Sequence, residues 1–375
     1  MRRTASSALA TGAVLATGVV LLGLTGGCTT AGYLGQAVQG HLALMQQSRP
    51  VEDWLADTQT PQALRAQLQL AQRLREFAVH ELGLPDNRSY RRFAAIGRPA
   101  VVWNVVAAPE LSLRLKTWCV PVAGCVSYRG YFDRAAAQAL ADELRGQGWE
   151  VYVYGVPAYS TLGRTDWLGG DPLLDTFVHW PESELARLLF HELAHQVVYV
   201  ADDTEFNESY ATAVERLGVR RWLQQPGRDA ARAEHERVTA RRADFLELAA
   251  RHRERLQALY DRAIPDDDKR AGKAALAQRL REELQQLKST RWGGFAGYDP
   301  WVAAANNASV GLQAAYHRQV PAFERLFEQQ RGDFARFHAE VRRLAALPRA
   351  QRDATLAALA TSSVADGPVP RGGRP

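Results

Sequence analysis

Apolar residues recur at helical spacing through most of the chain. Between Gln62 and Leu82 they stand at positions 64, 68, 71, 74, 77 and 78, a period of about 3.6 residues that predicts an amphipathic helix. Residues 33–82 as a whole are predicted to be helical. The same period predicts helices at about 182–200, 205–224, 229–262 and 269–289, and again from 300 to 346. The pattern therefore indicates a mainly helical protein.

One stretch changes from helical to strand-like periodicity. Residues 100–106 are rich in valine, and residues 150–154 alternate as a strand does. Between them Asp133 is predicted to cap a helix that reaches Arg145. This strand–helix–strand unit adds a small β-sheet, so the predicted fold class is α+β and predominantly helical.

The first 27 residues have the pattern of a secretory signal. Arg2 and Arg3 precede an apolar stretch at residues 8–24, which ends in small residues before Cys28. A cysteine in this place resembles the lipobox of bacterial lipoproteins, which predicts a lipid on Cys28. We therefore expect a removed signal at 1–27 and a folded domain at 28–348. An uncleaved membrane-anchor helix is the alternative.

Either form of the N-terminus places the body of the protein outside the cytoplasm. Thr29, rather than an aspartate, follows Cys28, and this favours the outer membrane in a cell with two membranes. The sequence thus predicts a lipoprotein of the cell envelope that faces the periplasm and meets the membrane through its N-terminal lipid.

Charge patterning marks two further segments. Residues 229–262 carry charges at many positions, and the region at about 229–289 is predicted to form an exposed helical arm. A solvated face accounts for the charge, although a surface for a partner protein is an alternative. The tail at 349–375 is rich in Ala, Arg, Ser, Pro and Gly and is predicted to be disordered.

The overall charge and the cysteine count exclude some functions. Lys and Arg number 46 against 41 Asp and Glu, a formal charge of +5 over 375 residues, with no basic stripe interleaved with aromatics. Nucleic acid is therefore not an expected partner. Three cysteines are too few for a four-thiolate zinc site. Cys119 and Cys125 flank a Pro/Gly turn, and a disulfide between them is expected in an oxidising compartment, with free thiols as the alternative.

The segment with the most specific chemistry is His191-Glu192-Leu193-Ala194-His195. Residues four apart on a helix differ by about 40° around its axis, so His191 and His195 project side by side and can share one ion. Glu192 is turned about 100° from His191, where it can reach a water that the ion activates. Two surface histidines on an amphipathic helix are the alternative.

Glu208 is the predicted third ligand. It stands thirteen residues after His195, near the start of a helix that Asp202 is predicted to cap, with Glu205 at the third helical position. An antiparallel second helix places its carboxylate opposite the two imidazoles, as a zinc hydrolase with three protein ligands requires. The competing acids are Asp202, Asp203, Glu205 and Glu215.

An HExxH helix followed by an Asn-Glu-Ser-Tyr-Ala helix resembles the gluzincin metallopeptidases. The chain is more closely similar to a family of bacterial lipoproteins described as "putative aminopeptidases", over most of its mature length. The segments that carry this resemblance are 128–132, 158–163, 171–174, 190–196, 206–212 and 306–308, with Tyr316. The resemblance implies a zincin-like fold, Zn²⁺ bound by His191, His195 and Glu208, and Glu192 as general base.

Two departures make "zinc peptidase" the firmer expectation. The interval from His195 to Glu208 is shorter than in the best-known gluzincins. There is also no Gly-x-Met-Glu-Asn segment, which binds the free amine of the substrate in leucyl-type aminopeptidases. We expect zinc-dependent hydrolysis of peptides in the cell envelope. The alternatives are a catalytically inactive, metal-binding scaffold lipoprotein and a metallohydrolase that acts on another substrate.

The tetrahedral intermediate of peptide hydrolysis needs a donor for its oxyanion besides the metal. The candidates are Tyr159, Tyr298, Tyr316 and His317, and the family resemblance favours Tyr316. A tyrosine packed in the core is the alternative. Residues 158–163 are predicted either to form an edge strand along which a peptide lies or to be a structural loop. The sequence sets no oligomeric state.

Overall fold

The computed structural model describes residues 32–33, 35–120, 124–158, 160–161, 166, 169–313 and 319–361. The predicted signal at 1–27, the lipidation site Cys28 and the end of the chain from 362 lie outside these residues, as does Tyr316. Most of the described chain is helical, with short strands between the helices. The expectation of a predominantly helical α+β fold is confirmed.

Helices and strands follow each other in a mixed order. The helices are α1 (Val51–Ala56), α2 (Gln62–His80), α3 (Arg134–Gly146), α4 (Glu182–His195), α5 (Thr204–Leu223), α6 (Asp229–Tyr260), α7 (Asp266–Thr290), α8 (Asp299–Ala303), α9 (Asn307–Gln313), α10 (Val320–Gln329), α11 (Phe334–Ala345) and α12 (Arg349–Thr361). The strands are β1 (Arg49–Pro50), β2 (Arg92–Ala94), β3 (Val102–Pro109), β4 (Trp118–Val120), β5 (Gly124–Val126), β6 (Arg129–Tyr131), β7 (Trp149–Val156) and β8 (Leu173–Leu174).

Within the described residues the strands form three small sheets, in the orders β1-β2-β8, β6-β3-β7 and β4-β5. The predicted strand–helix–strand unit is confirmed, with β3 antiparallel to both β6 and β7. The Asp133 carboxylate caps α3 by accepting a hydrogen bond from the Ala136 backbone N–H (2.9 Å). Helix α3 covers one face of this sheet, where Ala141 and Leu144 pack against Val105.

The main core lies between α2, α4, α5 and the helices near the C-terminus. Leu189 and Phe190 of α4 meet Phe77 of α2 and Phe206 of α5, all buried in one apolar cluster. Helices α4 and α5 pack closely because Gly218 has no side chain, and a Cβ there would lie 2.9 Å from the Phe190 ring. The two helices that carry the candidate site are thus fixed by core packing.

Two predicted helices are longer in the sequence pattern than in the structure. The expected helix at 33–82 is interrupted, because Pro50 and Pro61 take N-cap positions and begin the separate helices α1 and α2. The expected helix at 182–200 ends at His195. Beyond it the Gln196 side chain bonds to Asn87 (2.5 Å) and Ser89 (3.2 Å), which turns the chain into a loop.

The expectation of disorder from residue 349 is wrong for its first part. Residues 349–361 form α12, in which Arg352 and Leu356 are buried. Leu356 joins the main core, and Arg352 forms an ion pair with Asp203. The periodicity of α12 is weak because alanines fill most of its apolar positions, so only the tertiary contacts reveal it.

The arm consists of α6 and α7, which pack side by side. Phe245 and Leu248 of α6 are buried against Leu280 and Leu284 of α7. The charged positions therefore cover one side of a packed helix pair instead of surrounding two solvated helices. Among the described residues, no helix combines the length and the apolar character that a membrane span needs.

Candidate metal centre

Three side chains from the two ligand helices, α4 and α5, converge. His191 Nε2 lies 3.2 Å from His195 Nε2 and 3.3 Å from Glu208 Oε2. The other oxygen of Glu208 lies 3.7 Å from His195 Nε2. The structure thus brings together the two histidines of the HExxH segment and the carboxylate predicted opposite them, as a group that could hold a metal ion.

The spacing of these atoms suits a small tetrahedral cation. Ligand atoms about 2.0–2.1 Å from a tetrahedral zinc ion are about 3.3 Å from each other. The three observed separations, 3.2, 3.3 and 3.7 Å, lie close to that value. Two imidazole nitrogens and one carboxylate form a donor set that zinc hydrolases use, with a fourth position left for substrate or water. The residues therefore fit a zinc ion.

Glu215 fixes the orientation of His191. Glu215 lies two helical turns beyond Glu208 on α5, and its Oε2 is 2.9 Å from His191 Nδ1. A carboxylate only accepts hydrogen bonds, so Nδ1 carries the proton and Nε2 is the atom that faces Glu208. Arg187 holds Glu215 from the other side, with Nη1 3.4 Å from both carboxylate oxygens. Glu215, which the sequence presents as a competing ligand, is a support for the ligand His191.

Burial and neighbouring charges act in opposite directions on the pKa values of His191 and Glu215. Burial disfavours its protonated form, but hydrogen bonds to Glu208 and Glu215 raise the pKa of His191 well above its usual value. Burial likewise opposes ionisation of Glu215, yet Arg187 and His191 lower the pKa of Glu215 to about 2. Glu215 is therefore a permanent anion, which is the state that orients an imidazole.

His195 is in a different environment. Burial lowers its pKa to about 4, so the ring is neutral near pH 7 and its Nε2 can offer a lone pair to a cation. Its Nδ1 is buried and has no hydrogen-bond partner among the described residues. A buried polar atom without a partner is costly, and a bound cation at Nε2 would add a favourable interaction for the same ring.

Glu192 lies next to this group on α4, partly open to solvent. Burial raises its pKa to about 7, and a hydrogen bond with Ser160 opposes that rise. The Ser160 hydroxyl has one proton and lies between two carboxylates, since its Oγ is also 3.4 Å from Asp171 Oδ2. A carboxyl group with a pKa near neutrality can both take and return a proton, which is what a general base in hydrolysis must do.

Asp171 positions the segment that contains Ser160. Its buried carboxylate accepts hydrogen bonds from the Thr161 backbone N–H (3.1 Å) and hydroxyl (2.8 Å). The preceding Gly170 (φ 71°) lies against the backbone of Ser89, where a Cβ would come within 2.4 Å of the Ser89 nitrogen. Residues 160–161 are thus held beside Glu192 by a close packing that requires glycine at 170.

The loop between the ligand helices is held by Asn207, the residue before Glu208. Its side-chain amide donates to the Val200 carbonyl (2.7 Å) and accepts from the Val200 N–H (2.8 Å). The predicted cap of α5 is off by one residue. Asp203 is the N-cap and accepts from Phe206 N, while Asp202 has φ 62° and accepts from the Cys125 N–H (2.8 Å).

That last contact ties the cysteine hairpin to the loop between the ligand helices. A disulfide joins Cys119 to Cys125 across β4 and β5. The hairpin then leads into Tyr128, whose pKa is raised by burial and also by the charge of Glu208. The hairpin therefore borders the site, although the sequence pattern predicts only a disulfide there.

Two tyrosines that sequence reasoning missed lie near the ligands. Tyr154 on β7 accepts a hydrogen bond from the Asn104 amide (3.1 Å), and its pKa is raised to about 12 by burial, with a contribution from Glu208. Tyr128 is the second. The alternation at 150–154 could have placed Tyr154 on one face of its strand, but nothing in the sequence indicates which face meets Glu208.

Of the four oxyanion donors that the sequence predicts, only Tyr298 lies within the described residues. Tyr298 stacks on Phe245 of the arm, with ring centroids 4.0 Å apart, and charges of Arg242 and Glu184 act on it. Tyr159, Tyr316 and His317 lie outside the described residues. Glu208 contributes to the raised pKa values of two described tyrosines, Tyr128 and Tyr154.

Comparison with known proteins gives one match. A family model described as "Putative aminopeptidase" matches residues 32–356. No curated protein and no solved structure matches the chain. The matched span includes α4, α5, the arm and the buried part of α12, so the family relationship extends over nearly all of the described fold.

Proposed function

Because this chain belongs to the family described as "Putative aminopeptidase", we propose that it is a zinc-dependent peptide hydrolase that acts as an aminopeptidase. The observation that carries the proposal is the convergence of His191, His195 and Glu208 at the separations of a tetrahedral site, with Glu192 beside them. The HExxH helix and a glutamate from the next helix make the site zincin-like and of the gluzincin type.

Zinc is the metal that best suits these donors. His195 offers a neutral Nε2 atom, His191 offers its Nε2 once a metal displaces the proton there, and Glu208 offers an oxygen. This set favours Zn²⁺ over the all-oxygen sites preferred by Mg²⁺ and Ca²⁺. When bound, zinc supplies Lewis acidity to an attacking water and to the scissile carbonyl. Glu215 holds the His191 ring so that Nε2 stays directed at the site.

Glu192 is the proposed general base. Its carboxylate takes a proton from the attacking water as the new C–O bond forms, and returns that proton to the leaving nitrogen as the C–N bond breaks. Ser160 bonds to Glu192 and to Asp171, which keeps the carboxylate in place between these two transfers. No oxidant or second substrate is required, since water is consumed and the peptide is divided into an acid and an amine.

The oxyanion of the tetrahedral intermediate needs a donor besides the metal. Tyr316 stays our prediction from the family resemblance, and Tyr128 and Tyr154 are the candidates whose surroundings are described. Tyrosine hydroxyls are un-ionised near pH 7, and burial raises the pKa values of these two further. Each can therefore donate a hydrogen bond to a developing negative charge.

We also propose that the protein works outside the cytoplasm, as a lipoprotein anchored through Cys28 and facing the periplasm. The disulfide between Cys119 and Cys125 supports an oxidising compartment. Peptides of the cell envelope are then the substrate class, and the membrane is reached through the N-terminal lipid.

Paired substrates test both parts of the proposal. Peptides with a free N-terminal amine and the same peptides with a blocked amine are incubated with the zinc-loaded protein and with the chelator-treated protein. We expect zinc-dependent release of N-terminal residues from the free peptides only. Equal cleavage of both sets would contradict the proposed aminopeptidase action and would support peptide hydrolysis. Stoichiometric zinc without any cleavage would instead favour an inactive metal-binding scaffold.

A further inference from the structure

A continuous chain of charged side chains joins the arm to the metal site. Arg242 of α6 lies 2.5 Å from Glu184 Oε2, and the same oxygen lies 3.1 Å from Arg187 Nε. The Arg187 Nη1 atom then lies 3.4 Å from Glu215, which holds His191 Nδ1 at 2.9 Å. Three of these five residues are on α4, one is on α5 and one is on the arm.

The two carboxylates of this chain are shielded from water. The Glu184 side chain is 13% exposed and that of Glu215 is 8% exposed. Glu184 Oε1 is buried and has no hydrogen-bond partner among the described residues. Glu184 therefore depends on Arg187 and Arg242 for its compensation. Two arginines and two glutamates balance each other only while all four are present.

Loss of the arm's arginine would disturb this balance in a defined direction. Glu184 would keep only Arg187 as its cation, and Arg187 at present divides its guanidinium between Glu184 (3.1 Å) and Glu215 (3.4 Å). The contact of Arg187 with Glu184, which is already the shorter, would become stronger. The contact of Arg187 with Glu215 would become weaker. Glu215 would then hold His191 less firmly, because its own orientation depends on Arg187.

We propose that Arg242 is a positioning residue for the metal site and that the arm is part of the site's support. It acts through Glu184, Arg187 and Glu215 on the ligand His191. This inference rests on the proposed function, because it assumes that His191, His195 and Glu208 bind a metal. The arm's role is then to couple a large surface element to one metal ligand.

Simple electrostatics predicts the opposite effect. A positive charge near a cation site repels the bound metal. If Arg242 acted on the site only through its charge, it would weaken metal binding, and its removal would strengthen metal binding. If Arg242 is a positioning residue, its removal weakens metal binding instead. The sign of the change in metal affinity therefore distinguishes the two roles, independently of peptide cleavage.

The test compares four variants of the full chain by zinc titration against a chromophoric chelator. Arg242→Gln is the test variant and Arg242→Lys keeps the charge. Arg237→Gln is the matched control, since Arg237 is exposed on the same helix and its side chain donates to the Ala233 carbonyl one turn earlier. Glu215→Gln shows how much zinc affinity is lost when the carboxylate that bonds to His191 is itself replaced. Thermal unfolding of each metal-free variant is recorded alongside.

We expect Arg242→Gln to raise the zinc dissociation constant about fivefold, below the roughly 10–100-fold effect of a direct support. Arg242→Lys is expected to restore most of the affinity, and Arg237→Gln to leave it unchanged. An unchanged or lower dissociation constant for Arg242→Gln, with a raised one for Glu215→Gln, would overturn the inference alone. A wild-type chain that binds no zinc would overturn the proposed function and the inference with it.

Discussion

His191 Nδ1 and Glu215 Oε2 are 2.9 Å apart, and this contact decides which ring nitrogen of His191 faces the other ligands. The carboxylate accepts from Nδ1–H, so Nε2 is turned to Glu208 and His195. Glu215 reaches this position because it lies two helical turns after Glu208 on α5. One helix therefore carries a proposed ligand and the residue that orients a second proposed ligand.

Glu215→Gln is predicted to weaken zinc binding about 10–100-fold, the usual effect of losing a carboxylate that supports a histidine ligand. The neutral amide still accepts a hydrogen bond from Nδ1–H, but it loses its ionic contact with Arg187. Calorimetric titration measures the affinity. Glu236→Gln, at an exposed position of the arm, is the control. Equal affinities for the two variants would contradict the role given to Glu215.

Asn207→Asp tests the loop between the ligand helices. The buried aspartate cannot donate to the Val200 carbonyl as Asn207 does, and it places a carboxylate near that oxygen. We predict a loss of about 2 kcal/mol in the free energy of unfolding and weaker zinc binding. Gln285→Glu makes the same amide-to-carboxylate change at an exposed site. If denaturant unfolding gave equal stability for the two variants, the role of Asn207 in holding this loop would be contradicted.

Much of the site is predictable from local spacing. The i, i+4 relation of His191 and His195 and the start of a second helix near Glu208 need no tertiary information. Glu215 could be seen as an acid on the same face, but its contact with His191 depends on how closely α4 and α5 pack at Gly218. The two tyrosines depend on contacts between segments distant from Glu208 in sequence, since Tyr154 lies on β7 and Tyr128 lies between β5 and β6.

The errors in the fold have similar causes. The apolar spacing predicts a helix across residues 33–82, but Pro50 and Pro61 each begin a new helix. Asp202 and Asp203 are equivalent as caps in the sequence. The choice of Asp203 follows from its ion pair with Arg352, 149 residues away, which no local pattern contains.

That ion pair predicts a stabilising role for the C-terminal helix. Both Arg352 and Asp203 are almost fully buried, so Arg352→Gln leaves an uncompensated carboxylate at the cap of α5. We predict a loss of about 3–5 kcal/mol in the free energy of unfolding. Arg343→Gln removes an exposed pair with Glu340 and should cost less than about 1 kcal/mol. A chain that ends at 348 and unfolds like the wild type would contradict this assignment.

His338 predicts a pH dependence of stability. Its Nε2–H donates to the Leu82 carbonyl and its Nδ1 accepts from the Tyr210 hydroxyl, both at 2.8 Å. Burial lowers its pKa to about 4. The folded ring stays neutral while the unfolded one takes up a proton near pH 6.5, so stability is full above pH 6.5 and is lost as pH falls towards 4.

The loss between pH 7 and pH 4.5 is predicted to be about 2 kcal/mol for this one group. His338→Gln removes the titration and should show that much less acid destabilisation in denaturant unfolding. His179→Gln, at an exposed position, should behave as the wild type. The account of His338 fails when both variants lose stability equally over this pH range.

The most direct test of the central claim is the rate of peptide hydrolysis by zinc-loaded Glu192→Gln beside the wild type, with zinc content measured on the same samples. Glu192 is not a ligand in the proposed site, so the variant should hold one zinc per chain as the wild type does. Without the general base, its rate is predicted to fall about 10²–10⁴-fold. A variant that keeps its zinc and cleaves peptides at the wild-type rate would contradict the mechanism.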